Sequence, residues 1–145
     1  MDTLGADPVY SNVFVAALGD KYDRLCSVEE PKLALIGGSS VAFGLDSRLL
    51  ASHLGREVVN FGLYATLGSK IMLDLSEDGL NEGDIAVFAP ELDSQTLSLY
   101  FDGRTVWQAI DANRDLLGAS SLQGHLLPAG LYYGLRIFLR HKSAS

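Results

Sequence analysis

The spacing of apolar residues near the start of the chain predicts an amphipathic helix. Between residues 11 and 26, apolar side chains recur close to every 3.6 positions, which is the period of one helix face. Ser11 or Asn12 is of the residue type that caps a helix at its start. The predicted buried stripe consists of Val13, Phe14, Leu18, Tyr22 and Leu25.

Three short apolar runs predict β-strands. They are KLALIG at 32–37, residues 57–61 and residues 85–89, and each is shorter than a typical helix and bounded by turn residues. The first reads as a strand buried on both faces. Between the first two runs, Asp46 or Ser47 as a cap and Gly55 as a stop delimit a second helix. A further helix is predicted from about 66 to 75.

The alternation of strands and helices predicts an α/β fold. Successive strand–helix–strand units give a mostly parallel sheet with right-handed crossovers, so we expect a three-layer α/β/α sandwich. Two more helices are predicted at 104–117 and 128–141, and no clear fourth strand follows Ala89. The 145 residues are therefore expected to form one domain, 1–145, with a sheet that is small or incomplete for its class.

Composition and charge narrow the class of partner. A hydrophobic content of 48% with 20% charged residues is typical of a folded domain. Eighteen acidic and eleven basic residues give a net charge of −7, which argues against nucleic acid because phosphates demand a basic face. The basic residues cluster only at 136–142, where cations complement the dipole at a helix end.

The number of cysteines and the lengths of the apolar runs indicate whether the chain has disulfides or membrane segments. The single cysteine, Cys26, forms no intrachain disulfide, and we expect it to be a buried structural thiol. The N-terminus lacks the pattern of a signal peptide, and no apolar run reaches the ~20 residues needed to cross a bilayer. The chain as given is expected to be soluble, without a membrane segment.

The ends of the predicted strands are the places where chemistry is expected. In open parallel sheets, ligands bind beyond the carboxyl ends of the strands, which here are GGSS at 37–40, NFGLYAT at 60–66 and APELD at 89–93. The first stretch matches neither a dinucleotide fingerprint, nor a P-loop, nor a nucleophile elbow. Three alternatives remain for this stretch: it presents a nucleophilic serine, it forms only a tight turn, or it binds an anion at a helix N-terminus.

The first strand end resembles the first block of the SGNH (GDSL-like) hydrolase superfamily. Gly37-Gly38-Ser39 followed by Gly44 is similar to the variant found in uncharacterised bacterial members, near the DltD-like and acyltransferase-like branch. The resemblance covers about residues 8–105 and implies that Ser39 is the nucleophile. Ser40 is the alternative nucleophile, because the register that begins at Gly38 gives the standard spacing to Gly44; otherwise its N–H serves the oxyanion.

The second and third strand ends extend the resemblance. Asn60-x-Gly62 looks like the second block, whose later backbone N–H donor to the oxyanion falls on Ala65. The third block normally supplies an asparagine, where this chain offers Glu91 and Asp93. Asn60, Gly38 and Glu91 are therefore expected near the oxyanion or the substrate. Asn60 is expected mainly to bond backbone groups across the strand-end turns.

The catalytic base is the missing part of this pattern. The superfamily places its histidine in a late Asp-x-x-His block, and no such spacing occurs in this sequence. His53 is expected to face solvent on its helix, and His141 belongs to the basic cluster. His125, in a glycine-containing loop, is the remaining stand-in for a base. The chain is accordingly expected to be an N-terminal portion or a degenerate relative of such proteins.

Two main hypotheses follow for function. The resemblance implies ester hydrolysis or acyl transfer on a cell-envelope or carbohydrate ester. The alternative is a non-catalytic module that binds a carbohydrate, an acyl group or a protein in the same crevice. No cofactor is expected, and no metal, since the carboxylates of Glu91 and Asp93 alone make a weak metal site. Longer relatives imply a membrane-anchored, extracytoplasmic setting.

Aromatic residues have structural and functional readings. Phe43 and Tyr64 are expected to line a pocket or to pack beneath the loops. Trp107 is expected to pack from its helix into the core of the protein. The apolar segment 132–138 is expected to cover a sheet edge or to form a homodimer surface.

Overall fold

The computed structural model describes residues 14–29, 31–91 and 102–118. The sequence pattern in these ranges folds as alternating strands and helices, with short 3-10 turns at 14–16, 65–67 and 114–118. In the described part of the chain no helix is long and apolar enough to cross a membrane. The strands are β1 (Leu33–Gly37), β2 (Val58–Gly62) and β3 (Ile85–Ala89); the helices are α1 (Ala17–Ser27), α2 (Ser39–Gly44), α3 (Ser47–Leu54), α4 (Ser69–Glu77) and α5 (Gly103–Ala112).

Within the described ranges the strands form a three-stranded, entirely parallel sheet in the order β2-β1-β3. Leu33 at the start of β1 pairs with Val58 on one side and with Ile85 on the other. All three strands therefore end at the same edge of the sheet. The predicted small, parallel α/β fold is confirmed, while its assignment as a three-layer sandwich stays a prediction.

The core divides into two clusters because successive strand residues face opposite sides. Ala34, Ile36 and Phe61 belong to the larger cluster, which includes residues of α1, α4 and α5. Leu35, Val41 and Val58 form the smaller cluster, with partly buried residues of α3 packed against it. Each face of β1 is thus covered by apolar side chains.

Strand β3 differs from the other two in its exposure. All five of its residues are exposed, including Ile85 at 49% and Val87 at 44%. Its sequence is apolar, like that of β1, and its edge position does not account for the exposure, because β2 is also an edge strand of the described sheet and is largely buried. Sequence pattern alone predicts the strand correctly and does not reveal that it is exposed on both faces.

Helix boundaries follow local capping residues. Asp46 caps α3 by accepting hydrogen bonds from the N–H groups of Arg48 and Leu49, and Gly55 ends the helix in a left-handed conformation with φ 59°. Both caps are as predicted. The helix predicted from 66 starts later, at Ser69, because a 3-10 turn precedes it.

Several expectations need correction or lie beyond the described ranges. Cys26 is exposed, so the expected buried thiol is wrong. Trp107 is only partly buried, while its neighbours Val106 and Ile110 are in the core. Outside the described residues lie the predicted cap at 11–12, Val13, Asp93, the helix at 128–141, the apolar segment 132–138, and the histidines His125 and His141.

A buried ion pair fastens β3 to β1 at the amino end of the sheet. Lys32 is completely buried, and its Nζ lies 2.8 Å from Oδ2 of Asp84, whose side chain is 3% exposed. The Lys32 N–H donates to Asp84 Oδ1 at 2.8 Å, and Lys32 Nζ also donates to the carbonyl of Val28 at 3.0 Å. Burial raises the pKa of Asp84, but hydrogen bonds from Lys32 outweigh it, and the pKa lies below its usual range.

Candidate functional site

The serine loop and the end of β3 meet at the carboxyl edge of the sheet. Because β1 and β3 are parallel neighbours, Ser39 and Glu91 follow strands that end side by side. The Ser39 hydroxyl donates to Glu91 Oε1 at 3.3 Å, and the Ser40 N–H donates to the same oxygen at 2.9 Å. Ser39 and Ser40 beyond β1 and Glu91 beyond β3 were predicted at two separate strand ends, and these ends are in direct contact.

Gly38 permits this close approach. A Cβ atom added at Gly38 would lie 2.5 Å from Oε1 and 2.7 Å from Cγ of Glu91. Any side chain at this position would displace the glutamate from Ser40. Gly38 thus contributes to the site by lacking a side chain, as a residue that lets a carboxylate reach the start of α2.

Asn60 supports α2 from the sheet. Its Nδ2 donates to the carbonyls of Val41 at 2.9 Å and Leu45 at 3.2 Å, while its Oδ1 accepts from the N–H of Gly62 at 3.0 Å. These are the backbone contacts across strand-end turns that the sequence predicts for Asn60. The amide positions the serine helix and is occupied by protein groups.

Lys21 contacts β2 on the side that faces away from β1. The sequence does not predict this contact. The Nζ of Lys21 donates to the Asn60 carbonyl at 3.0 Å, and burial lowers the pKa of this amine. Glu57 and Leu63 pair with β1, so Asn60 directs its carbonyl away from β1 and toward Lys21. A single lysine on a helix face carries no sequence signal for such a contact.

The end of β2 runs beside the end of β1. The N–H of Leu63 donates to the Gly37 carbonyl at 2.8 Å, after which Ala65 begins a 3-10 turn. Ala65 is half-buried, and its carbonyl accepts from the N–H of Gly68. The fold thus keeps the second predicted oxyanion donor on the same edge as Ser39, without placing it in the serine–glutamate group.

The described histidine does not serve Ser39. His53 is exposed on α3, and its Nδ1 lies 2.8 Å from the carbonyl of Leu49 in the same helix. This is the solvent-facing role that the sequence predicts. His125 lies outside the described residues, so its role as a base stays a prediction.

The observed group is chemically different from an open oxyanion hole. Glu91 uses one oxygen for both Ser39 and Ser40, so a carboxylate occupies the N–H that an oxyanion would need. A carboxylate is also a much weaker base than imidazole toward a serine hydroxyl. The same contact disfavours an anion site at the start of α2, because a negative charge already lies there.

Aromatic side chains from separate segments converge next to this edge. The ring of Phe14 lies 4.9 Å from that of Phe43 and 5.9 Å from that of Tyr64, measured between centroids. Phe43 is 75% exposed and Tyr64 is 43% exposed. We call Phe14, Phe43 and Tyr64 the aromatic cluster. Phe43 and Tyr64 were expected at a pocket or beneath the loops, whereas Phe14 was assigned only to a helix stripe.

A separate concavity lies at the amino end of β2. It encloses about 450 Å³ and is lined by Pro31, Ala51, Gly55, Arg56 and Glu57. Arg56 Nη1 is buried there without a hydrogen-bond partner among the described residues. Glu57 is paired with Arg24 at 2.7 Å. This concavity belongs to the opposite edge of the sheet from Ser39.

Neither a metal-binding arrangement among the described residues nor a known related protein identifies the function of this site. In the ranges that the structure describes, no group of three or more histidine, cysteine or acidic residues is arranged to hold a metal ion. Comparison with family models, curated proteins and solved structures found no match to this chain.

Proposed function

We propose that this chain is an SGNH-like domain that engages an acyl ester, of the cell-envelope or carbohydrate class, at Ser39. The observation that supports this most is that Ser39 begins α2 directly beyond the end of β1. It places a serine hydroxyl at the first turn of a helix, on the edge of a parallel sheet where ligands bind. The fold class agrees with the resemblance of the motifs.

In this proposal Ser39 is the nucleophile for ester hydrolysis or acyl transfer. Its Oγ forms a bond to the acyl carbon and its proton passes to a base, for which His125 is the candidate; the ester C–O bond then breaks and the same base protonates the departing alcohol. Water or an acceptor hydroxyl then takes the acyl group. The N–H groups of Ser40 and Ala65 stabilise the oxyanion after Glu91 has moved away from Ser40.

A second candidate is a non-catalytic module that binds an acyl or carbohydrate ligand in the same crevice. It is favoured by the hydrogen bond from the Ser40 N–H to Glu91, which fills the donor that catalysis needs. In that case the Ser39 hydroxyl and the Glu91 carboxylate are contact groups for the ligand. Both candidates use the same residues and differ in whether Ser39 becomes acylated.

Covalent labelling distinguishes the two candidates. The folded chain is incubated with a fluorophosphonate probe and analysed by intact mass, together with Ser39→Ala and the matched variant Ser40→Ala. A nucleophilic Ser39 gives one probe per chain, and Ser39→Ala loses it. Ser40→Ala keeps its backbone N–H and remains labelled.

The controls define what each outcome means. Circular dichroism of every variant establishes that the chain is folded before labelling. Labelling that persists in Ser39→Ala and disappears in Ser40→Ala transfers the nucleophile to Ser40. Absence of labelling in the folded wild-type chain contradicts the catalytic proposal and favours the binding module.

A further inference from the structure

The aromatic cluster lies one helical turn from Ser39. Ser39 and Phe43 are four positions apart in α2, a spacing that puts side chains on the same face of a helix. Tyr64 immediately precedes Ala65 on the adjoining strand end. The cluster is therefore continuous with the edge at which the proposed site lies.

The chemistry of the cluster is apolar. Phe14 and Phe43 carry no polar atom, and the Tyr64 hydroxyl is the sole polar group of the three side chains. The rings of Phe14 and Phe43 are inclined by 40°, and those of Phe14 and Tyr64 by 90°, so the rings form an angled wall. A sugar needs hydrogen-bonding groups beside the ring that it stacks on, whereas an alkyl chain needs only apolar contact.

Phe43 is unusually exposed for a phenylalanine, because phenylalanine side chains are usually buried. At 75% it exceeds the exposed apolar side chains of α3, where Leu49 is 57% exposed and Leu54 is 55% exposed. Unlike those leucines, Phe43 contacts a second aromatic ring from another segment and lies on the helix that begins with Ser39. A grouped apolar surface next to a polar site is typical of a ligand-binding surface.

We propose that the aromatic cluster binds the alkyl part of the acyl group, so that the domain prefers esters of medium-chain acids over acetyl esters. The inference rests on the proposed function and specifies its substrate class. The carbonyl lies at Ser39 and Ser40, and the chain extends from there over Phe43 toward Phe14 and Tyr64. The polar groups of Ser39 and Ser40 match the carbonyl of such a ligand, and the rings of the aromatic cluster match its alkyl chain.

The test uses methyl ketones, which carry the carbonyl and alkyl chain of an ester but are not hydrolysed. Acetone, 2-hexanone and 2-octanone are titrated into the isotopically labelled chain and followed by NMR. The amides of Ser39 and Ser40 report the carbonyl end, and the Tyr64 ring reports the alkyl end. The inference predicts that Kd falls about fourfold for each methylene that becomes buried.

A matched pair of variants locates the alkyl contact. Phe43→Ala removes an exposed ring and is expected to abolish the chain-length dependence while the Ser40 amide still responds. Leu49→Ala removes an exposed apolar side chain from α3 and leaves the dependence intact. Equal effects of both variants overturn the inference, because the chain would then contact exposed apolar surface in general.

The two proposals fail differently in this experiment. Equal affinities for the three ketones, with shifts at Ser39 and Ser40, overturn the acyl-chain inference and leave the serine site in place. Chain-dependent shifts at Tyr64 alone contradict binding at Ser39, and with it both proposals. Shifts of the Tyr64 ring on dilution of the ligand-free chain would show that a second copy covers the rings, which also overturns the inference.

Discussion

At the scale of single residues, Lys32 and Asp84 form the most buried ion pair in the described part of the chain. Both side chains are buried, and Asp84 also accepts from the N–H of Asn81 at 2.8 Å. Removing one partner of such a pair strands the other charge and typically costs about 3–5 kcal/mol. An exposed pair at the same separation, that of Lys70 and Asp74, contributes about 0.5 kcal/mol or less.

The lowered pKa of Asp84 predicts how the free energy of unfolding responds to pH. The pKa of Asp84 is lower in the folded chain than in the unfolded chain, so the unfolded state binds a proton first as pH falls. The stabilisation is complete above the unfolded pKa and is lost as pH falls through the folded pKa. Asp84→Asn should therefore lower the free energy of unfolding strongly at about pH 7 and by less at about pH 3, which lies below the ordinary pKa of an aspartate.

Urea unfolding at these two pH values, followed by circular dichroism, measures the effect. Asp74→Asn is the matched control, since it removes a carboxylate from a lysine at the same 2.8 Å distance on the surface. Its free energy of unfolding should stay within about 0.5 kcal/mol of the wild-type value. A difference between wild type and Asp84→Asn that does not shrink in acid would contradict the buried pair as described.

At the scale of elements, the position of α2 determines the site. Val41 packs into the smaller core cluster, Asn60 holds the helix carbonyls, and Gly62 lies directly beneath the helix backbone. A Cβ at Gly62 would meet the N and Cα atoms of Ala42 well inside van der Waals contact. Backbone atoms move less readily than a side chain, so the helix has to shift as a whole.

Gly62→Ala is accordingly expected to displace α2 and to destabilise the chain by about 1–3 kcal/mol. Gly44→Ala is the matched control, because Gly44 is also at the end of its element and an added Cβ meets nothing within 4 Å. Alanine there should leave stability unchanged or raise it by up to about 1 kcal/mol. Urea unfolding of the two variants measures the difference, and equal stabilities would contradict the placement of α2 on β2.

The elements also explain which features were predictable from the sequence. The caps Asp46 and Gly55 act within one helix, so local residue preferences predict α3 correctly. The short helix α2 was missed, because six residues that begin with two serines show no helical periodicity. The exposed positions of Leu49 and Leu54 were also invisible, since exposure depends on what packs against a helix face.

At the scale of the whole molecule, strand order creates the candidate site. Ser39 and Glu91 are 52 positions apart in the chain and meet because β1 and β3 are parallel neighbours. The sequence identifies both residues as strand-end residues, but it does not contain the pairing of the strands. The role of Glu91 as a cap on Ser40, and the approach of Phe14 to Phe43, likewise follow from tertiary packing.

The contact between Ser40 and Glu91 is the central geometric claim, and NMR tests it most directly. The Ser40 amide proton is followed from neutral pH to about pH 4 in wild type, in Glu91→Gln and in the exposed control Glu77→Gln. A hydrogen bond to a carboxylate weakens when the carboxylate is protonated. We predict that the Ser40 resonance moves with pH in wild type and Glu77→Gln and stays fixed in Glu91→Gln. An identical pH response in all three proteins would contradict the site.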